Sequence, residues 1–155
     1  MKTLNYVSLE NIDPQLLLPI LNSEANRTHL MAHDPFTPET LSAWMANKCL
    51  VDKEPGCRVR AIQNNNSVLG WCGIQQEAER YEIAIVVDKQ YWGVGKQIFK
   101  DMMDWAKELN HDTVFIYFLH TRPQYAFLRK RAKQVFTIEM YGNQFTAYEI
   151  SVQEY

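Results

Sequence analysis

The sequence predicts an α/β protein in which a mixed central sheet carries helices on both faces. Three observations predict it. Apolar runs of strand length alternate with helix-period runs in the order β, helices, βββ, α, β, α, ββ. The run TVFIYFL at residues 113–119 is apolar on both faces, as expected of a strand covered from two sides. Two pairs of short runs flank asparagine- or glycine-bearing turns, the sign of antiparallel hairpins.

Taken in order, residues 3–9 (TLNYVSL) alternate weakly and read as a first strand. Asp13 and Pro14 supply an N-cap and a first-turn proline for QLLLPIL, and Pro19 is expected to end or kink that helix. Thr37-Pro38-Glu39 is a stronger start signal: a capping hydroxyl, a first-turn proline and an acid at the positive helix end precede LSAWMANKCL. RVRAIQ and VLGWCGIQ, separated by residues 64–67 (NNNS), read as a hairpin. Residues 81–87 form the next strand, followed by QYWGVG and an amphipathic helix with Ile98, Met102, Trp105 and Leu109 on one face. After the strand at 113–119, Pro123 opens a helix over YAFLRKRAKQ, and VFTIEMY and QFTAYEISV close the chain around a turn at Gly142 and Asn143.

The totals narrow the function. The chain has 155 residues without repeats or a linker-like stretch, so a single domain over 1–155 is expected. Its net charge of −2 offers no field to hold a nucleic acid. Cys49, Cys57 and Cys72 show no metal or disulfide spacing and fit reduced thiols in the cytoplasm. The N-terminal MKTLNYVSLENID has no apolar signal core, and residues 16–21 are too few to span a bilayer, so no membrane partner is expected.

Chemistry concentrates in QYWGVGK, residues 90–96. A strand, a glycine loop and a helix in succession present backbone N–H groups at the positive end of a helix dipole, which suits a phosphate. Gly93 and Gly95 would let that phosphate approach the backbone, and Lys96 would add charge at the rim. A plain tight turn is the competing reading. The loop is neither a Walker A nor GxGxxG, since Ile98-Phe99 stands where the third glycine would fall.

QxxGxG directly after a strand that carries an acid, with an amphipathic helix behind it, resembles motif A of the GNAT acyl-CoA N-acyltransferases. The string EIAIVVDKQYWGVG, from Glu82 to Gly95, resembles the ribosomal-protein serine/alanine N-terminal acetyltransferase branch. The motif covers about residues 82–109, and the element order matches the GNAT fold over nearly the whole chain. Further along, the pattern departs. The family usually has an asparagine, a helix with a tyrosine, and then Gly-Phe. HTRPQYAFLRKRAKQVF instead has Thr121 near the asparagine position, Leu128 where the tyrosine is common, and no Gly-Phe.

The resemblance implies an acetyl-CoA (coenzyme A) site. The backbone of Ile85, Val86 and Val87 would pair with the pantetheine arm. Gln90 and the amides of Trp92, Gly93, Val94, Gly95 and Lys96 would hold the pyrophosphate, with Thr121 beyond the second strand. It also implies an N-acetyltransferase acting on a primary amine, a peptide N-terminus ahead of a small-molecule amine, with a homodimer possible.

Acyl transfer needs a deprotonated amine and a proton for the leaving thiolate, while proximity carries much of the rate. Glu82, a carboxylate in an apolar strand, is the candidate general base; its alternative is pairing with Arg80 or Arg60. Tyr125 is the candidate general acid or a core tyrosine, and His120 at a strand end is a third candidate beside a structural role. Tyr117 reads as core. His29 and His33 fall on the acceptor side or in a solvated loop. Trp44, Trp71 and Trp92 read as core or wall, and Cys72 as a small buried residue rather than a nucleophile. Arg129, Lys130, Arg131 and Lys133 read as a solvated helix end, with an adenosine 3′-phosphate contact as a second role. Segments 23–36 and 75–80 are expected to be loops that shape the acceptor pocket. Two rival functions stay open: a non-catalytic acyl-CoA sensor, motivated by Leu128, and an ATP-binding domain, for which no Walker lysine–serine pair is present.

Overall fold

The computed structural model describes residues 3–29, 34–122 and 125–153. His33 and Pro123 lie outside them. The elements are β1 (Asn5–Val7), α1 (Pro14–Asn22), α2 (Glu24–His29), α3 (Pro38–Asp52), β2 (Arg58–Asn64), β3 (Ser67–Glu77), β4 (Arg80–Val87), α4 (Gly95–Glu108), β5 (Thr113–Leu119), α5 (Ala126–Arg131), β6 (Ala132–Met140) and β7 (Asn143–Ser151). The strands form one seven-stranded sheet in the order β1-β2-β3-β4-β5-β7-β6. Only β4 and β5 are parallel among these neighbours.

The period of two along β4 divides the core. Ile83 and Val87, with Ile85 packed alongside, face a layer built on Ile98, Phe99, Met102 and Met103 of α4. Val86, with Ala84 packed alongside, faces a second layer in which Leu17, Leu21, Leu41 and Met45 of α1 and α3 cover Val59, Ala61 and Trp71. Burying a side chain of this size contributes about 1.5–3 kcal/mol, so each helix is held by its apolar stripe.

Local chemistry explains most boundaries. The Asp13 carboxylate accepts from the Gln15 amide at 2.9 Å to start α1. At α3 the Thr37 hydroxyl accepts from the Thr40 amide at 3.1 Å and the Thr40 hydroxyl accepts from the Thr37 amide at 2.8 Å. Two expectations need correction. Of the two outcomes expected of Pro19, ending α1 does not occur: it lies inside the helix, with Leu17 buried before it and Ile20 and Leu21 after it. The last helix stops at Arg131, and residues 132–134 join β6, where Ala132 and Gln134 pair with Ile150 and Glu149 across a register shift. The final turn centres on Tyr141 and Gly142, at φ 52° and 77°, with Met140 opposite Asn143. At Gly70 an added Cβ would come within 1.9 Å of the Val86 carbonyl oxygen, so close strand packing requires glycine there.

Candidate active site

β4 and β5 share one register pair, Glu82 with Phe115, near their N-terminal ends. Beyond that pair the strands part, and a cavity of about 550 Å³ opens between them. Ile85, Val86 and Val87 line it from β4, Ile116 and Phe118 from β5, and Gly93, Gly95, Lys96 and Phe99 from the glycine loop and α4. Arg122, Tyr125, Phe127 and Leu128 line it from the segment after β5, and Asn26 from α2. Its lining is mostly apolar and includes two cations, Lys96 and Arg122.

The glycine loop has a tighter course than its sequence suggests. Residues Lys89–Val94 wind into a 3₁₀ helix, anchored where the Asp88 carbonyl accepts from the Tyr91 amide at 2.8 Å. In such a helix the amides turn towards carbonyls three residues back, which turns the Trp92 and Gly93 backbones into the loop itself. The expected donors over residues 92–96 lie where this 3₁₀ helix runs directly into the first turn of α4. Val94 caps that helix and offers no side-chain hydrogen bond. Gln90 is directed away, its amide and side chain both donating to the Asp88 carboxylate at 3.3 Å.

Gly93 and Gly95 bear on the choice between turn and cradle. Neither has a positive φ. A Cβ built on either meets nothing within 4 Å. Neither backbone conformation nor crowding within the chain calls for glycine, in contrast to Gly70. Both leave clear space in front of an uncapped helix end. Lys96 lies beside them with its ammonium 5.3 Å from the Phe127 ring centre.

Glu82 lies at the narrow end of the splay, where it does not line the cavity. Neither arginine expected as its partner pairs with it. Arg60 bonds Asp52 at 2.5 Å, and Arg80 lies over the Phe115 and Phe136 rings. Glu82 instead accepts from Gln75 Nε2 at 3.0 Å, and Gln75 Oε1 accepts from Lys48 Nζ at 2.7 Å. Burial pushes the Glu82 carboxyl above the usual carboxylate range, against the Gln75 hydrogen bond that pulls it down. Segment 75–80 is thus not a loop: it is the closing end of the β3–β4 hairpin, with only Ala78 and Glu79 outside the strands.

The segment after β5 places its candidates unevenly. Tyr125 faces the cavity, its hydroxyl oxygen accepting from Arg122 Nη2 at 2.8 Å and its ring 5.4 Å from that of Phe118. His120 is exposed and turned to β7, with Nδ1 3.1 Å from the Gln144 carbonyl oxygen. It does not reach the cavity, nor does the exposed Thr121. Leu128 is buried and lines the wall. None of the four basic residues after it reaches the cavity, and Lys133 bonds the Thr113 hydroxyl at 2.9 Å. Tyr117 stacks on Phe115 with ring centres 6.2 Å apart. Trp44 and Trp71 pack edge to face at 5.2 Å in the α1/α3 layer. Cys72 is fully buried, which pushes its thiol far up and leaves it inert.

Asn26, Phe99, Ile116, Phe118, Arg122 and Phe127 join the site without having been read from the sequence. Asn26 had a partial signal, since it falls in segment 23–36; it is buried, and its Nδ2 donates to the Ile20 carbonyl at 2.8 Å. No group of metal-ligating side chains occurs among the described residues, and no helix among them is long and apolar enough to cross a membrane.

The profile of the acetyltransferase (GNAT) domain matches residues 4–123, well over half of the chain. No curated protein sequence matches it. Among solved structures, a ribosomal L7/L12 alpha-N-protein acetyltransferase in complex with coenzyme A superposes with a TM-score of 0.71 at 13% identity, covering 97% of this chain and 95% of that one. The Salmonella typhimurium acetyltransferase that modifies the N-terminal serine of ribosomal protein L7/L12 gives 0.69 at 13% identity, covering 96% and 93%. An N-acetyltransferase from Staphylococcus aureus Mu50 gives 0.68 at 17% identity, covering 98% and 99%. At such identities the likeness establishes a shared fold, and the profile match carries it to a family: this chain belongs to the GNAT acetyltransferases.

Proposed function

We propose that the protein is an acetyl-CoA-dependent N-acetyltransferase that acetylates a primary amine, with a peptide N-terminus as the first acceptor class to test. The observation that carries the reading is the cavity between the splayed strands, which is lined by Gly93 and Gly95 where α4 starts without a side-chain cap. The residues present fit coenzyme A. The first-turn amides of α4 and the Lys96 ammonium would take its pyrophosphate, and Ile85, Val86, Ile116 and Phe118 would wall its pantetheine arm. Acetyl-CoA, when bound, supplies the thioester.

The chain's own groups would supply the proton chemistry. Glu82, held by Gln75, would take the proton from the incoming ammonium through a water, since it stands back from the cavity. Burial raises its pKa and so makes the carboxylate a stronger base. Tyr125 keeps its own O–H available while Arg122 donates to its oxygen, so the phenol can protonate the leaving thiolate. Asn26 would border the acceptor side. The fit to an N-terminal amine rests on the resemblance of EIAIVVDKQYWGVG and on the fold shared with L7/L12 acetyltransferases. Three free cysteines fit a reducing, cytoplasmic setting.

The test is thiol release from acetyl-CoA with peptides beginning in serine or alanine, an amino sugar and a polyamine as acceptors. Release with peptides alone supports the full reading, and release only with a small amine moves the acceptor class. Coenzyme A binding without release for any acceptor favours a sensor, a reading that the buried Leu128 supports.

A further inference from the structure

Lys48 is an ammonium in an unusual setting. It projects from α3, stands 5.0 Å from the Trp71 ring centre and 5.6 Å from that of Trp44, and donates to Gln75 Oε1 at 2.7 Å. Gln75 turns its other end to Glu82 at 3.0 Å. Gln75 and Glu82 are direct cross-strand partners on β3 and β4. The three side chains form one chain running from α3 across two strands to the seam of the sheet.

We propose that Lys48 and Gln75 are positioning residues for Glu82, with Gln75 fixing the carboxylate, Lys48 fixing Gln75, and the lysine charge reaching the carboxylate through the amide between them. The inference rests on the assignment of Glu82 as the general base. Its physical logic is that an amide with a free rotor can present either end to a neighbour. An ammonium at the oxygen end forces the NH₂ end towards Glu82. The same cation polarises the amide and strengthens its N–H as a donor, in a part-buried site where such coupling counts. The faces of Trp71 and Trp44, whose ring centres lie 5.0 and 5.6 Å from the ammonium, help to hold it in place.

The other groups around Glu82 are few. Glu77, two residues beyond Gln75 on β3, opposes its ionisation, and Tyr141 in the β6–β7 turn donates its phenol to Glu77. From β5 the partner is the uncharged Phe115, under the Arg80 guanidinium. Lys48 favours ionisation, and Glu82 in turn favours the charged form of Lys48, whose own pKa burial lowers. Removing Lys48 or the Gln75 amide therefore takes away the two influences that keep Glu82 ionised, and its proton should hold to higher pH.

The experiment is a ¹³C titration of the glutamate side-chain carboxyl groups in the full chain, with the Glu82 resonance assigned by its loss in Glu82→Gln. Lys48→Met and Gln75→Leu should each move the Glu82 midpoint upwards, and Lys48→Arg should restore most of it. The matching readout is the acid limb of kcat/KM, which should move up in step, giving about a tenfold greater loss on the acid side for each unit of displacement. Midpoints unchanged in both variants, or rates lowered evenly across pH, overturn the relay. Glu82→Gln leaving the acid limb intact overturns the base assignment instead. Gln75→Leu, at a half-buried strand position, keeps the test open should Lys48→Met fail to fold.

Discussion

β5 is paired on both edges, and the two edges are unlike. Towards β7 it keeps seven antiparallel register pairs, from Thr113 with Ser151 to Leu119 with Phe145. Towards β4 it keeps one. The same strand thus serves as ordinary sheet on one side and as the wall of a cleft on the other. The difference teaches that the site is made by withholding pairing, since the edges of β4 and β5 that no longer meet face the cavity through Ile85, Val86 and Ile116. The parallel junction is where this is easiest to do, because its two strands are joined by a helix rather than a tight turn.

The largest effect should come from filling the open edge. Gly93→Val with Gly95→Val should abolish the thermal stabilisation that coenzyme A gives, about 2.7 kcal/mol at a hundredfold excess over Kd. The fold should survive, because the new Cβ atoms meet no protein atom within 4 Å. Retained stabilisation in a thermal-shift assay would remove the phosphate cradle. Glu82→Gln should lower kcat by about 10²-fold or more with little change in coenzyme affinity, read from initial rates and calorimetry. Tyr125→Phe should cost about 10²-fold in kcat, the low end for a lost proton donor, with its Phe118 contact kept.

A pH effect on stability separates the seam from the rest of the sheet. The Glu82 carboxyl is raised in the folded state, so the native form binds its proton more tightly than the unfolded chain does. Its contribution is therefore greatest at acid pH and is lost as pH rises from the ordinary carboxylate value through the raised one. Glu82→Gln should gain stability over the wild type above that window and lose the advantage below it, as followed by denaturant melts across pH. The smallest effect belongs to the closed edge. Tyr148, opposite Ile116, buries its hydroxyl without a hydrogen-bond partner among the described residues. Tyr148→Phe should leave coenzyme binding alone and change stability by no more than about 1 kcal/mol, towards greater stability.

The open edge was also the more legible one. The strand at 113–119 and the glycine loop are local patterns, and local patterns survive folding. The tail of the last helix was misread because Ala132 and Gln134 find partners on β7, a tertiary pairing that no helical period reveals. Gln90 belongs to the motif string, yet its side chain folds back on Asp88, which is a matter of rotamer rather than of spacing. Arg122 and Lys48 went unread, and Asn26 and Gln75 fell only within the broad segments 23–36 and 75–80, for a simpler reason: these side chains come together from elements far apart in the chain. Alternation along β3 and β4 says which side chains share a face, but not that α3 delivers a lysine onto it.

A seven-stranded sheet whose β4 and β5 share one register pair is built as two leaves with a single bridge between them. The leaf of β1 to β4 and the leaf of β5, β7 and β6 are bridged at Glu82 and Phe115 and tied by the α4 layer. A ligand lodged in the gap would splint them, so hydrogen exchange along the facing halves of β4 and β5 should slow when coenzyme A is added, while β6 and β7 exchange as before.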